Sequence, residues 1–155
     1  MAGFSRMDVT GADVSPVALR RSAELAEQAG PEIAARATWQ HADVLDWAPP
    51  EQHFDLVSAQ FMHLLPPARE SLHRRLAAAV RPGGTLLVVG HHPSDLDTME
   101  RPHPCEIFAT GEEMAVVLDP AEWTPETGAP ERQATGPDGA VVTLRDAVLR
   151  ALRRG

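Results

Sequence analysis

The chain has 155 residues, with 14 Lys plus Arg against 22 Asp plus Glu, a formal charge of −8 and an apolar fraction of 43%. That length suits one ordinary soluble domain, which buries roughly two-thirds of its unfolded surface if it folds alone. Every cation is Arg and Tyr is absent, the pattern of a GC-rich genome, and the short clusters Arg74-Arg75 and Arg153-Arg154 give no extended basic surface, so nucleic acid is not expected as a partner. The longest apolar runs, such as Met114 to Leu118, fall far short of the roughly 20 residues of a membrane span. The start, Met1 to Arg6, has no apolar export segment, and a lone Cys105 forms no internal disulfide, so the expected location is the cytoplasm.

Asp8 to Ala12 reads as a strand ending at Asp13. Ser15-Pro16 then starts a helix, a hydroxyl to cap a free N–H followed by a proline in the first turn, and Gly30-Pro31 ends it after Ala29. Leu19, Ala23 and Ala26, with Ala18, Leu25 and Ala29 beside them, make a stripe of mostly small side chains at helical spacing, suited to lying close on a sheet. Ala37 to Ala42 and Phe54 to Ala59 are further strands, with Pro49-Pro50 in the loop between them. Pro66-Pro67 opens a helix whose Leu72, Leu76, Ala79 and Val80 share one face, and Arg81-Pro82-Gly83-Gly84 stops it. Thr85 to Gly90 is a continuous apolar strand of the kind buried on both faces of a parallel sheet. A polar loop follows from Ser94 to Ala109, and Thr110 with Glu113 forms a capping box before a short helix, Met114 to Leu118. The rest, broken by Pro125, Gly128 and Pro130 and turned at Asp138-Gly139, suggests an antiparallel hairpin, although Leu144, Val148 and Leu152 also fit a helix.

This order is the rhythm of a wound α/β sheet, with neither an internal repeat nor a dividing linker, so residues 1–155 are expected to form a single domain. Ligands in such sheets sit at the carboxyl ends of the strands. Asp13 is placed there to accept from a ribose diol, because a carboxylate offers paired acceptors; its structural alternative is to help cap the helix. Asp43 suits the exocyclic amine of a purine, with Val44 as an apolar surface for the ring; its alternative is a solvated loop carboxylate.

Four segments in register resemble the class I S-adenosylmethionine-dependent methyltransferases: Val9-Thr10-Gly11-Ala12-Asp13-Val14-Ser15-Pro16, His41-Ala42-Asp43-Val44-Leu45, Phe54-Asp55-Leu56-Val57 and Arg81-Pro82-Gly83-Gly84-Thr85-Leu86-Leu87-Val88-Val89. The resemblance implies a Rossmann-like sheet with helices on both faces and S-adenosyl-L-methionine as the methyl donor. Asp13, Val14 and Ser15 would hold the ribose and adenine, Asp43 and Val44 the adenine edge, and Ser58, Ala59 and Gln60 would line the pocket near the methyl group. It also implies an antiparallel last strand, which favours strand for Ala140 to Leu152.

The family carries an earlier strand, a Gly-x-Gly-x-Gly loop and a helix before the ribose-binding acid, whereas 12 residues precede Asp13 here and none of the 11 glycines forms such a loop. The absent strand is central, between the strands at Asp8 to Ala12 and Phe54 to Ala59, so its loss opens two apolar edges that invite pairing with a second copy. A truncated or degenerate partial domain is the expectation.

His63 lies after the third strand, where the family often faces its acceptor, and an imidazole suits a general base. His91 and His92 follow the next strand, one of them expected to be structural. His91, His92, His103 and Cys105 are zinc-compatible types without a recognised ligand spacing, so no metal site is expected. Trp39 and Trp47 read as packing residues. The function implied is methyl transfer to a small-molecule acceptor, the alternative being an inactive truncated methyltransferase-like domain that does not bind cofactor. A nicotinamide-dinucleotide binder ranks last, since it needs the same absent glycines.

Overall fold

The computed structural model describes residues 7–97, 104–136 and 139–155. The chain divides into two compact units between Trp47 and Ala48, beside the Pro49-Pro50 loop.

In the first unit, strand β1 (Val9–Asp13) pairs in parallel with β2 (Ala37–His41), placing Gly11 opposite Trp39 and Asp13 opposite His41. The connection is helix α1 (Pro16–Ala29), whose N-cap Ser15 accepts a hydrogen bond from the Ala18 amide. Gly30, at φ 129°, ends it, and Pro31 then begins a further helical turn, α2 (Pro31–Ala34). The half-buried face of α1 is Ala18, Leu19, Ser22, Ala23 and Ala26, while Leu25 and Ala29, expected on that stripe, are exposed. The Trp39 ring occupies the space over Gly11, so any side chain there would meet it.

The second unit holds β3 (Phe54–Gln60), α3 (Pro66–Ala79), β4 (Val80–His91), α4 (Gly111–Ala115), β5 (Trp123–Gly128), β6 (Glu131–Thr135) and β7 (Val141–Arg153). The sheet order is β3-β4-β7-β5, with β6 also on β7. β4 runs parallel to β3 and antiparallel to β7. β1 and β3 belong to different sheets.

The expected stop at Arg81-Pro82-Gly83-Gly84 is instead a bulge inside β4, because the helix passes straight into the strand at Val80. Phe54 pairs with Val80 and Leu56 with Thr85, so four residues of β4 face Asp55 alone. Glycine is needed there twice: Gly83 takes φ 80°, and a Cβ on Gly84 would lie 2.9 Å from the Asp55 and Arg81 carbonyl oxygens. The Arg81 guanidinium pairs with the Asp55 carboxylate across the bulge.

The expected helical face is confirmed, with Leu72, Leu76, Ala79 and Val80 all buried, each large side chain worth about 1.5–3 kcal/mol of burial. Thr85 to Gly90, expected to be covered on both faces, alternates instead: Leu86 and Val88 are buried while Leu87 and Val89 are only half-buried. Thr110 and Glu113 form the capping box, and the helix runs from Gly111 to Ala115, ahead of the expected Met114 to Leu118. The terminal hairpin is confirmed, and the expected strand Ala140 to Leu152 is observed as Val141–Arg153. β5 and β6 form one line against β7 in a single register, broken at Ala129-Pro130, where the Pro130 carbonyl still accepts from the Asp146 amide. Asp138 of the expected turn lies outside the described residues. Its flanks close with Gly136 N–H to Ala140 O and Gly139 N–H to Gly136 O. Among the described residues no helix is long and apolar enough to cross a membrane.

Candidate functional site

In the first unit, the carboxyl ends of β1 and β2 gather the residues singled out from the sequence. One oxygen of Asp13 accepts from the Ser15 amide at 2.7 Å, and its other oxygen makes no hydrogen bond among the described residues. Asp13 thus does what its structural alternative required, fixing the turn into α1, and keeps an acceptor to offer. A ring nitrogen of His41 lies 2.9 Å from the Val14 carbonyl oxygen, and the Ala42 amide donates to the Asp13 carbonyl, tying the two strand ends together. Asp43 accepts from the Leu45 amide at 2.9 Å. The Val14 side chain is 60% exposed, an apolar surface beside two carboxylates. Asp13, Val14, Ser15, Asp43 and Val44 therefore share one end of the unit, with the acceptor chemistry and apolar surface that a nucleoside needs.

In the second unit, β3 ends at Gln60, exposed, with Ala59 half-buried before it. Phe61 follows at φ 54°, a conformation that costs a bulky residue about 1–3 kcal/mol and that concentrates at functional sites. Its amide still donates to the Val89 carbonyl, and its ring turns to His91, 4.9 Å between centroids. Here a narrow cleft opens, with enclosed room for about one water molecule, lined by Phe61, Met62, His63, Arg69, His73, Val88, Val89, Gly90, His91, Ile107, Phe108 and Met114. His63 is exposed at this cleft, and His91 sits among Phe61, His63 and Phe108.

α3 brings Arg69 and His73, one turn apart, to the same cleft. Arg69 Nη1 donates to the Glu106 carbonyl at 3.0 Å and to that of Ile107 at 3.4 Å, holding the 3-10 turn Cys105–Ile107. Burial pushes the His73 pKa below its usual 6.5, and the neighbouring Arg69 charge pushes the same way; a hydrogen bond at the Met114 backbone and the Glu70 charge oppose both. His73 is accordingly neutral at neutral pH.

His92 is the structural one of the expected pair, its Nδ1 2.9 Å from the Ser94 hydroxyl. His103 lies outside the described residues, and among those described no group of three or more metal-binding side chains gathers. Arg69, His73, Phe108 and Met114 were not singled out from sequence. The first two were visible as an i, i+4 pair on a predicted helix; the others depend on where a long loop returns.

Comparison with known proteins agrees with this architecture. The model of a family described as a methyltransferase domain matches residues 1–84, more than half of the chain. The chain belongs to the methyltransferase-domain family, and its fold is the Rossmann-like class I methyltransferase fold. A phosphatidylethanolamine N-methyltransferase of Cereibacter sphaeroides is 33% identical over 90 residues, 58% of this chain and 43% of that protein, so the chain spans less than half the length of this curated relative. Among solved structures, N-methyltransferase NodS from Bradyrhizobium japonicum WM9 superposes with a TM-score of 0.65 at 16% identity, covering 94% of this chain and 73% of that one. NodS in complex with S-adenosyl-l-homocysteine gives 0.63 at 18% identity, over 94% and 65%. TehB from Haemophilus influenzae gives 0.70 at 17% identity, over 96% and 50%.

Proposed function

We propose that this chain transfers the sulfonium methyl of S-adenosyl-L-methionine to a small-molecule acceptor in the cytoplasm. The observation that carries the reading is the cleft at the carboxyl end of β3, where a strained Phe61 and an exposed His63 follow the strand. Membership of the methyltransferase-domain family supports it, and the matched region crosses the boundary between the two units, in favour of one partial domain. The acidic balance of the chain favours a small acceptor over nucleic acid.

When bound, the donor supplies an electrophilic methyl group for in-line displacement. Asp13 accepts from the ribose hydroxyls with the oxygen that the Ser15 amide leaves free, Val14 packs on the adenine, and Asp43 and Val44 meet its edge. By the family resemblance, Ala59 and Gln60, ending β3, would line the pocket near the methyl group. The acceptor atom enters the cleft, where His63 takes up its proton if it has one to lose, while Phe61, Ile107 and Phe108 keep water away. An N-methyltransferase among the relatives makes an amine nitrogen the first acceptor to try. Self-association through the open edges of β1 and β3 belongs to the same reading, and sedimentation measures it.

The test is a calorimetric titration of S-adenosylhomocysteine into the chain after circular dichroism has shown it folded. Saturable binding supports the transferase reading and leads to methyl transfer assays on amines. A folded chain that binds nothing favours the alternative, an inactive domain without cofactor.

A further inference from the structure

The chain carries 22 acidic residues, yet among the described residues none that lines the cleft is acidic. In their place are one guanidinium and three imidazoles, Arg69 with His63, His73 and His91. Arg69 forms no ion pair among the described residues; Glu70, next to it in sequence, pairs with Arg74 at 3.1 Å, and the Glu106 carboxylate accepts from the Cys105 thiol at 3.5 Å. Among the described residues only Nη1 of Arg69 donates to carbonyls, and Nη2 and Nε are further donors of the same fork. The helix beneath adds to the same field. α3 begins at Pro66 without a side-chain cap and without an acid in its first turn, so the positive end of the helix lies one turn before Arg69, with Glu70 the first acid along it. The His73 pKa is depressed first by burial and then by the neighbouring Arg69 charge.

A cleft of this kind disfavours a purely cationic acceptor and stabilises an anion. We infer that Arg69 is a specificity-determining residue that pairs with an anionic group, a phosphate or a carboxylate, carried by the methyl acceptor. The inference deepens the transferase reading and rests on it for the identity of the occupant. Guanidinium is suited to the task because its planar fork meets two oxygens of a phosphate or carboxylate at once.

Two measurements separate the inference from that reading. In the first, inorganic phosphate is titrated into the folded chain at constant ionic strength while the histidine ring resonances are followed by NMR. Saturable shifts of the His73 and His91 signals are expected in the wild type and in Arg69→Lys, with at least a tenfold weaker response in Arg69→Gln, which loses the charge. A wild type without saturation, or an Arg69→Gln variant that responds equally, overturns the inference, and neither result depends on methyl transfer.

In the second, ethanolamine and O-phosphoethanolamine, which share one amine and differ in the phosphate, are compared as acceptors. A preference for the phosphorylated compound through KM, lost in Arg69→Gln and kept in Arg69→Lys, supports the assignment. An equal loss with both acceptors makes Arg69 a strut for the Cys105–Ile107 turn and overturns it. Vesicles of phosphatidylethanolamine form the third arm: turnover there but not with the soluble compound assigns the phosphate to a lipid headgroup. Phosphate binding with no transfer to any acceptor retains the anion site and removes the transferase reading.

Discussion

The imidazoles of His63 and His91 stack, their centroids 5.5 Å apart and their planes 17° from parallel. The two rings are not equivalent. His91 is held between aromatic neighbours, with Phe61 at 4.9 Å and Phe108 at 6.1 Å, whereas His63 stands exposed at the cleft. Replacement of His63 by Gln is expected to lower methyl transfer to a protonated acceptor by roughly 100-fold, the lower range for a positioned base, with S-adenosylhomocysteine affinity unchanged. His91→Phe, which keeps a ring in the stack, is expected to retain most of the rate. Steady-state assays of both variants decide the matter: equal losses would remove the distinction drawn between them.

Asp13 combines a turn-fixing role with a proposed ligand role, and the two separate chemically. Asn in its place keeps an acceptor for the Ser15 amide and loses the carboxylate charge together with the second acceptor oxygen. Asp13→Asn should therefore melt close to the wild type while binding S-adenosylhomocysteine more weakly by about 1–3 kcal/mol, and Asp43→Ala should weaken binding by a similar amount. Calorimetry with unchanged affinity in both variants would remove the nucleoside site from this end of the first unit.

His73 couples stability to pH. Its folded pKa is depressed by burial and by Arg69, so the unfolded chain, protonating near 6.5, binds more protons than the folded one as pH falls through that value. The stability tied to neutral His73 is thus fully present above about pH 6.5 and is lost progressively as pH falls from there toward the folded pKa. His73→Gln, which keeps an amide donor within the cleft, should narrow the difference in melting temperature between about pH 7.5 and about pH 5.5. A variant whose melting falls as steeply as the wild type would assign the acid sensitivity to other groups.

The bulge in β4 has no room for a methyl group at Gly84. Gly84→Ala must displace the Asp55 or Arg81 carbonyl, and a loss of about 1–3 kcal/mol in urea unfolding is expected. Because β3 carries the cleft at its far end, the same variant should bind S-adenosylhomocysteine less tightly; a neutral substitution would show that the bulge relaxes freely.

Much of the fold was legible because the signals were local. The hydroxyl of Ser15, the capping box at Thr110 and the periodic Leu72, Leu76 and Ala79 each act within a few residues, and each appears where expected. The bulge at Arg81 to Gly84 was misread, since Pro-Gly-Gly signals a stop whether or not a neighbouring strand captures the chain on both sides of it. Leu25 was assigned inward from helical spacing alone, but only the smaller side chains of α1 find cover. Of the candidate site, the strand-end acids and His63 were readable because strand ends can be located from apolar runs. Arg69 and Phe108 come together only through the return of a loop more than thirty residues later, a distance over which no periodicity carries information.

The single register that β5 and β6 share along β7 has a kinetic consequence. Every pair from Thr135 with Val141 out to Trp123 with Arg153 is reached by zipping away from one short turn, so each successive contact closes almost no new loop. Hairpins of this kind form on the order of microseconds, whereas the parallel pairing of β3 with β4 must wait for α3 to be spanned. The C-terminal fifth of the chain is thereby the natural template of the second unit, accepting β4 first and β3 last. On a ribosome, the strand that carries the cleft would emerge early and find its place only after the final residues had been made.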